Sequence, residues 1–182
     1  MIPGLRYLAD YLSIEQHDQL VTILDQQIWS TELKRRVQQY GYRYDYRARQ
    51  SLAEMSLGPF PAWLQLFADQ VGRDLMGQTP DQVIINEYQP GQGIAPHIDC
   101  QPCYGDTILS VSLLSGCVMT FSRGEQAHPV WLAPRSVVIM QGEARQLWKH
   151  GIARVKNDTI DGQSIPRGRR ISITLRKMRF DH

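Results

Sequence analysis

Arg170-Ile171-Ser172-Ile173-Thr174-Leu175-Arg176 alternates polar and apolar residues without a break. In a β-strand successive side chains point to opposite faces. Arg170, Ser172, Thr174 and Arg176 therefore share one face, and Ile171, Ile173 and Leu175 share the other. On an edge strand the arginines would simply face water. In a closed barrel the apolar face would pack against an outer layer and the polar face would line the lumen. Two guanidinium groups in a low-dielectric interior are costly unless anions meet them. A dicarboxylate would satisfy both, because bidentate guanidinium–carboxylate pairing is the strong form of this contact.

The surrounding sequence favours the barrel. From Val83 onward, short strand-like runs are separated by turn residues. Expected strands are Val83–Tyr88, Thr107–Leu114, Cys117–Ser122, Pro129–Leu132, Ser136–Met140, Arg145–Trp148 and Arg170–Arg176. Ser115-Gly116 and Arg123-Gly124 read as hairpin turns. Many short strands at this spacing predict a barrel or jelly roll. Upstream, Ser13 and Gln16 form a Ser-x-x-Gln capping box, and Leu20, Ile23 and Leu24 then fall on one helical face. His17 on this helix reads as a surface residue. A second helix is expected from Ala62 to Leu75, with Leu64, Phe67, Ala68 and Val71 as its buried stripe. Both helices should pad the outside of a sheet. The expected class is mainly β with flanking α-helices, in one domain over 1–182: helices and a lid to about residue 80, a β core from about 81.

His97-Ile98-Asp99 brings an imidazole and a carboxylate to one side of an extended segment. Alone it reads better as a surface turn with a solvated Asp. With one more histidine it makes the facial triad that leaves open positions on non-haem Fe(II). His150, at a strand end before Gly151, is the preferred third ligand. Its rival is His128, before Pro129 in an expected hairpin loop; His182, the last residue, is expected to be mobile. Asn86 and Tyr88 share a face just upstream. Gln89-Pro90-Gly91-Gln92-Gly93 then lets the chain turn or bulge.

Between the helices, Trp29 to Arg49 carries Lys34-Arg35-Arg36 and then Tyr40, Tyr42, Tyr44 and Tyr46 at every second position. Read as a strand, this ribbon has one aromatic and one charged face. It fits a half-buried strand, since strands favour Tyr. It also fits a flap that stacks on nucleobases and neutralises phosphates. Trp29, Arg35, Arg36, Tyr40 and Tyr42 are the candidate substrate contacts.

Composition narrows the classes. The formal net charge of +2 permits a polyanionic partner without demanding one. Three cysteines are not spaced as a disulfide framework, which points to a reducing compartment. For Cys100-Gln101-Pro102-Cys103, a redox pair or stray metal site is weighed against chance spacing, and chance is preferred. No signal-peptide run and no apolar stretch of membrane-spanning length is present. A soluble, cytoplasmic monomer is expected.

Taken together, Asn86-x-Tyr88, His97-x-Asp99, His150 and the pair Arg170 and Arg176 resemble the AlkB family of Fe(II)- and 2-oxoglutarate-dependent dioxygenases. The stretches from Tyr88 to Asp99 and from Gly142 to Ile152 look closer still to the branch that hydroxylates a modified tRNA wobble uridine. The resemblance implies a double-stranded β-helix core with N-terminal helices and a substrate lid. It implies Fe(II) on His97, Asp99 and His150. It also implies 2-oxoglutarate held by Arg170 with Tyr88 at the distal carboxylate and by Arg176 with Asn86 at the iron-chelating end, with O₂ as the other cosubstrate. The substrate would be nucleic acid, DNA or RNA and possibly tRNA, undergoing oxidative demethylation of an alkylated base or hydroxylation of a modified one. The alternatives are a protein or small-molecule oxygenase on the same core, and a cupin-like metal-binding domain without turnover.

Overall fold

The alternation of Arg170–Arg176 sits in the middle of the largest sheet. In the computed structural model, residues 2–48 and 50–180 are described; His182 lies outside them. The N-terminal part contains β1 (Leu5–Leu8), α1 (Ile14–Asp25), β2 (Arg36–Tyr40) and α2 (Ala62–Val71). Next come β3 (Gln82–Tyr88), β4 (Ile94–His97), β5 (Tyr104–Leu114), β6 (Cys117–Arg123), β7 (Gln126–Leu132) and β8 (Val137–Met140). The chain ends with α3 (Gly142–Gln146), β9 (Lys149–Ile152), β10 (Asn157–Ile160), β11 (Gln163–Pro166) and β12 (Arg170–Met178).

The strands form a six-stranded sheet in the order β1-β8-β5-β12-β3-β2 and a four-stranded sheet in the order β4-β9-β6-β7. β10 and β11 make a separate hairpin. All pairings within the two large sheets are antiparallel, and the two sheets make the jelly-roll core the sequence predicts. β12 runs between β3 and β5. Ile171, Ile173 and Leu175 are fully buried in one cluster with Leu20 and Leu24 of α1 and Leu64, Phe67 and Val71 of α2. Each such side chain is worth roughly 2 kcal/mol of burial. The helices thus cover the outer face of the sheet, and the opposite face of β12, from Arg170 to Arg176, is buried toward the second sheet.

Local signals explain several boundaries. Ser13 caps α1 reciprocally: its Oγ accepts from Gln16 N at 3.1 Å, and Ser13 N donates to Gln16 Oε1 at 3.0 Å. His17 is not a surface residue. Its Nε2 accepts the Leu114 N–H at 3.0 Å, so it caps the end of β5. The second helix stops at Val71, short of Leu75, and widens into a π-turn over Gly72–Met76. Gly77, at φ +72°, closes that turn by donating its N–H to Gly72 O.

Four other expectations are corrected. Arg145–Trp148 is no strand: Gly142, at φ +49°, turns the chain into α3, which buries Arg145. Ser115-Gly116 does not close a hairpin, because β5 and β6 belong to different sheets and this turn carries the chain between them. Arg123-Gly124 does close one, between β6 and β7. The tyrosine ribbon ends at Tyr40, because Gly41 adopts φ +77° and packs so closely that a Cβ there would lie 1.8 Å from Asp81 O. Beyond it the pairing with β3 stops, and the described residues form isolated bridges instead, Tyr42 to Ser56 and Asp45 to Gln50. Finally, Cys100 and Cys103 are joined as a disulfide across the turn between β4 and β5, with Cα atoms 5.3 Å apart. Chance spacing is thereby replaced by a closed loop. No helix among the described residues is long and apolar enough to cross a membrane.

Candidate active site

The site is assembled where the short strands β4 and β9 pair. His97 and His150 are direct cross-strand partners, and their ring centroids lie 4.4 Å apart. Asp99 follows β4 by two residues, and its Oδ1 is 3.5 Å from His97 Nε2. One ligand atom from each of His97, Asp99 and His150 lies within 4.8 Å of the others. The His97 Nδ1 sits 2.9 Å from Ala95 O. A hydrogen bond there fixes the ring and leaves Nε2 with its lone pair toward the cluster. Burial pushes His150 down to about 4, so its imidazole is neutral at pH 7 and able to donate to a metal. Burial alone would push the Asp99 carboxyl up. Arg176 and the two imidazoles outweigh it and hold the group well below the usual carboxylate range. Two imidazoles and one carboxylate fit a divalent metal of the iron type.

β12 and β3 supply the opposite wall. Their register steps along the lumen as Arg170/Tyr88, Ser172/Asn86, Thr174/Ile84 and Arg176/Gln82. At one end, Arg176 reaches Asp99 at 3.2 Å and Gln82 Oε1 at 3.0 Å, with its guanidinium 4.8 Å from the Tyr104 ring centre. At the other, Arg170 is 2% exposed and donates to Ser112 Oγ at 3.0 Å and Ser115 O at 3.4 Å. No carboxylate pairs with Arg170 among the described residues, and its Nε is buried without a partner. An unpaired buried cation of this kind fits an incoming carboxylate. Arg145, from α3, steadies the ligand turn by donating to the carbonyls of Asp99 at 3.0 Å and Cys100 at 2.9 Å.

A pocket of about 250 Å³ opens over His97 and Asp99. Its walls include Asn86, Arg176, Arg35, Tyr44, Tyr46 and Tyr104. Arg35 Nε donates to Asn86 Oδ1 at 2.9 Å, and its guanidinium lies over Tyr46 and Tyr88. The Tyr46 and Tyr104 hydroxyls are buried with no hydrogen-bond partner among the described residues.

Among the sequence-predicted site residues, His97, Asp99, His150, Asn86, Arg176 and Arg35 thus converge, with Tyr88 and Arg170 one register step beyond Asn86 and Ser172. Trp29, Arg36, Tyr40 and Tyr42 do not. Arg36 faces the helix side, where it grips Glu87 at 2.6 and 2.8 Å and lies over Trp29. Tyr40 packs edge-on against Trp63, and Tyr42 against Phe180. His128 lies within β7 against Trp148 and is not in the cluster. Tyr44 and Tyr46, beyond the Gly41 break, take the pocket positions instead. Their place in the tyrosine repeat was the available signal, whereas Tyr104 carried none and Arg145 lay inside the Gly142–Ile152 stretch without a role of its own.

The profile of the 2OG-Fe(II) oxygenase superfamily matches residues 4–176. The chain is 35% identical over 179 residues to protein L905 of Acanthamoeba polyphaga mimivirus, covering 96% of this chain and 85% of the relative. It is 33% identical over 204 residues to the alkylated DNA repair protein ALKBH8 homolog of Arabidopsis thaliana, covering 98% of this chain and 59% of the relative. The tRNA (carboxymethyluridine(34)-5-O)-methyltransferase alkbh8 of Xenopus tropicalis is 35% identical, but the chain spans only 32% of its length. Among solved structures, OsALKBH1 superposes with a TM-score of 0.72 at 18% identity, covering 97% of this chain and 98% of that one, which supports the fold. The chain therefore belongs to the 2OG-Fe(II) oxygenase superfamily, on its AlkB-like branch, and is a dioxygenase of the kind that uses Fe(II), 2-oxoglutarate and O₂.

Proposed function

We propose that this chain oxidises a nucleobase within a nucleic acid, with Fe(II) held by His97, Asp99 and His150. The bound metal, with 2-oxoglutarate and O₂, supplies the oxidising power that puts one oxygen atom into a substrate C–H bond. The chain's own residues hold and orient. Arg170, with Tyr88 beside it in the register, takes the distal carboxylate, and Arg176 with Asn86 takes the end nearer the metal. Ionised Asp99 and neutral His150 present lone pairs without having to lose a proton at neutral pH. Apolar Ile84, Ile94 and Ile98 keep water from the pocket wall.

The observation that carries the reading is one pocket joining His97 and Asp99 of the candidate metal cluster to three tyrosines and the Arg35 guanidinium. Flat aromatic rings beside a cation suit a nucleobase on a phosphate chain. Names among the relatives, an alkylated DNA repair protein and a tRNA methyltransferase, point to the same substrate class. An N-methyl target would leave as formaldehyde and free base after hydroxylation; a carbon-bound target would remain as a stable alcohol. A duplex would have to flip its base into the pocket, and a single-stranded loop would not.

Two measurements test this. Anaerobic addition of Fe(II) and 2-oxoglutarate should produce a visible metal-to-ligand charge-transfer band. In air, mass spectrometry of methylated oligonucleotides and bulk tRNA should show loss of a methyl group or gain of an oxygen atom. A band without any change in either nucleic acid would move the substrate to a protein or small molecule. No band at all would remove the oxygenase mechanism.

A further inference from the structure

A second concavity, a groove of about 380 Å³, runs beside the pocket and shares Arg35 with it. Lys34, Arg35 and Arg154 line it, together with Gly91, Gln92 and Gly93, and no carboxylate does. Among the described residues, neither Lys34 nor Arg154 forms an ion pair. Both are exposed. Lys156 lies alongside, its Cγ 3.8 Å from where a Cβ on Gly91 would stand.

Three chain segments are tied together to build this groove. Gln92 Nε2 donates to Lys34 O at 2.9 Å, linking the start of the lid to the loop before β4. Gly91 N donates to Val155 O at 3.1 Å, linking the same loop to the segment after β9. Gly93 packs so tightly that a Cβ would lie 2.2 Å from Ile152 O, so only glycine allows this approach. The cations are therefore brought together by backbone contacts, with no carboxylate among the described residues lining the groove to neutralise them. Isolated like charges repel, and such a cluster is at ease when an anion lies among them.

We infer that this groove binds the phosphodiester backbone next to the nucleotide whose base enters the pocket, with Arg35 at the junction of the two. The inference rests on the nucleic-acid reading above and adds the residues that carry the strand. Lys34 and Arg154 would fix the register of the strand without reading its sequence, because phosphate contacts position and base contacts specify.

The test is the salt dependence of binding of a fluorescent single-stranded oligonucleotide to the Mn(II)-loaded protein. Each phosphate neutralised contributes about 0.7 to the slope of log K against log salt. The Lys34→Ala/Arg154→Ala double variant should therefore lose roughly 1.4 from the wild-type slope. Lys34→Arg/Arg154→Lys should keep the wild-type slope, and a shared thermal midpoint would confirm that all three fold alike. If the oligonucleotide binds and is oxidised but the double variant keeps the full slope, the groove assignment is overturned and the nucleic-acid reading stands. If no oligonucleotide binds at low salt or is oxidised, both are overturned. If polyglutamate of matched charge competes as well as the oligonucleotide, the groove is a site for acidic protein and the inference is wrong.

Discussion

Arg176 and Asp99 meet across the barrel: both Nε and Nη2 of the arginine lie 3.2 Å from Oδ2 of the carboxylate. Both residues are buried. In the metal-free protein this guanidinium is the main group keeping a desolvated carboxylate charged. Arg176→Met should cost about 3–5 kcal/mol in urea denaturation, the usual penalty for leaving one buried partner uncompensated. Adding Asp99→Asn to Arg176→Met should recover most of that loss. A double variant as unstable as the sum of the singles would mean that the pair does not interact.

His97 and His150 face each other from paired strands, and each offers one donor. His97→Ala or His150→Ala should lower Fe(II) affinity by more than the ~100-fold typical of losing a supporting residue around a metal. The charge-transfer band should disappear with either. His128→Ala, which removes a ring packed on Trp148 away from the cluster, should retain it. Retention of the band in His150→Ala would require a different third ligand.

Arg170 is a buried cation whose protein partners are a serine hydroxyl and a carbonyl. Arg170→Leu should therefore leave the stability of the cosubstrate-free protein unchanged or raise it. The same change should weaken 2-oxoglutarate binding by about 2–5 kcal/mol, which is roughly 30-fold or more. Calorimetry with Mn(II) in place of iron would measure the second effect and thermal denaturation the first. A variant that is unstable yet binds 2-oxoglutarate normally would make Arg170 a structural residue.

Glu87, on the helix side of β3, is 2% exposed and accepts hydrogen bonds from Arg36 and Arg169. The bond from Arg36, reinforced by Arg169, holds its pKa below the ordinary value against the upward push of burial. Its folded pKa is thus lower than its unfolded one. The stability it contributes is complete above about pH 4.3 and is lost as pH falls through the folded value. Glu87→Gln should melt below the wild type at pH 7, and the two should converge as the pH drops under about 4. An equal gap across the whole range would show that ionisation of Glu87 plays no part.

What could be read without coordinates was what local pattern carries. The alternation of Arg170–Arg176 placed every side chain of that strand on its observed face, because a period of two is a property of the strand itself. The residue types of His97-x-Asp99 and His150 were legible, but not their setting: Asp99 lies past the end of β4 with Ile98 lining the same pocket, and His150 sits inside β9 rather than at a strand end before glycine. The failures came from backbone conformation and distant packing. Gly41 turns at positive φ and shifts the pocket-facing role from Tyr40 and Tyr42 to Tyr44 and Tyr46. The stretch after Gly142 looked like a strand because Leu147 and Trp148 suit one; instead Arg145 N bonds to Gln141 O and Leu147 N to Glu143 O in helical fashion, while Ala144 N ties the turn to Pro3 O, far away in sequence. β4 was missed because it is short and contains Pro96, which argues against a strand unless a partner such as β9 is known. The basic cluster hid a division of labour: Arg35 turns to the pocket, and Arg36 to a carboxylate on the opposite face.

The imidazoles stand on β4 and β9 of the smaller sheet, whereas Arg170 and Arg176 stand on β12 of the larger one. A molecule gripped at one end by the metal and at the other by an arginine would act as a rivet between the two walls. Occupancy and barrel cohesion then become one quantity seen from two sides. A core substitution far from the chemistry that lets the walls drift apart should loosen the grip on the cosubstrate, and a filled site should make the walls harder to pull open.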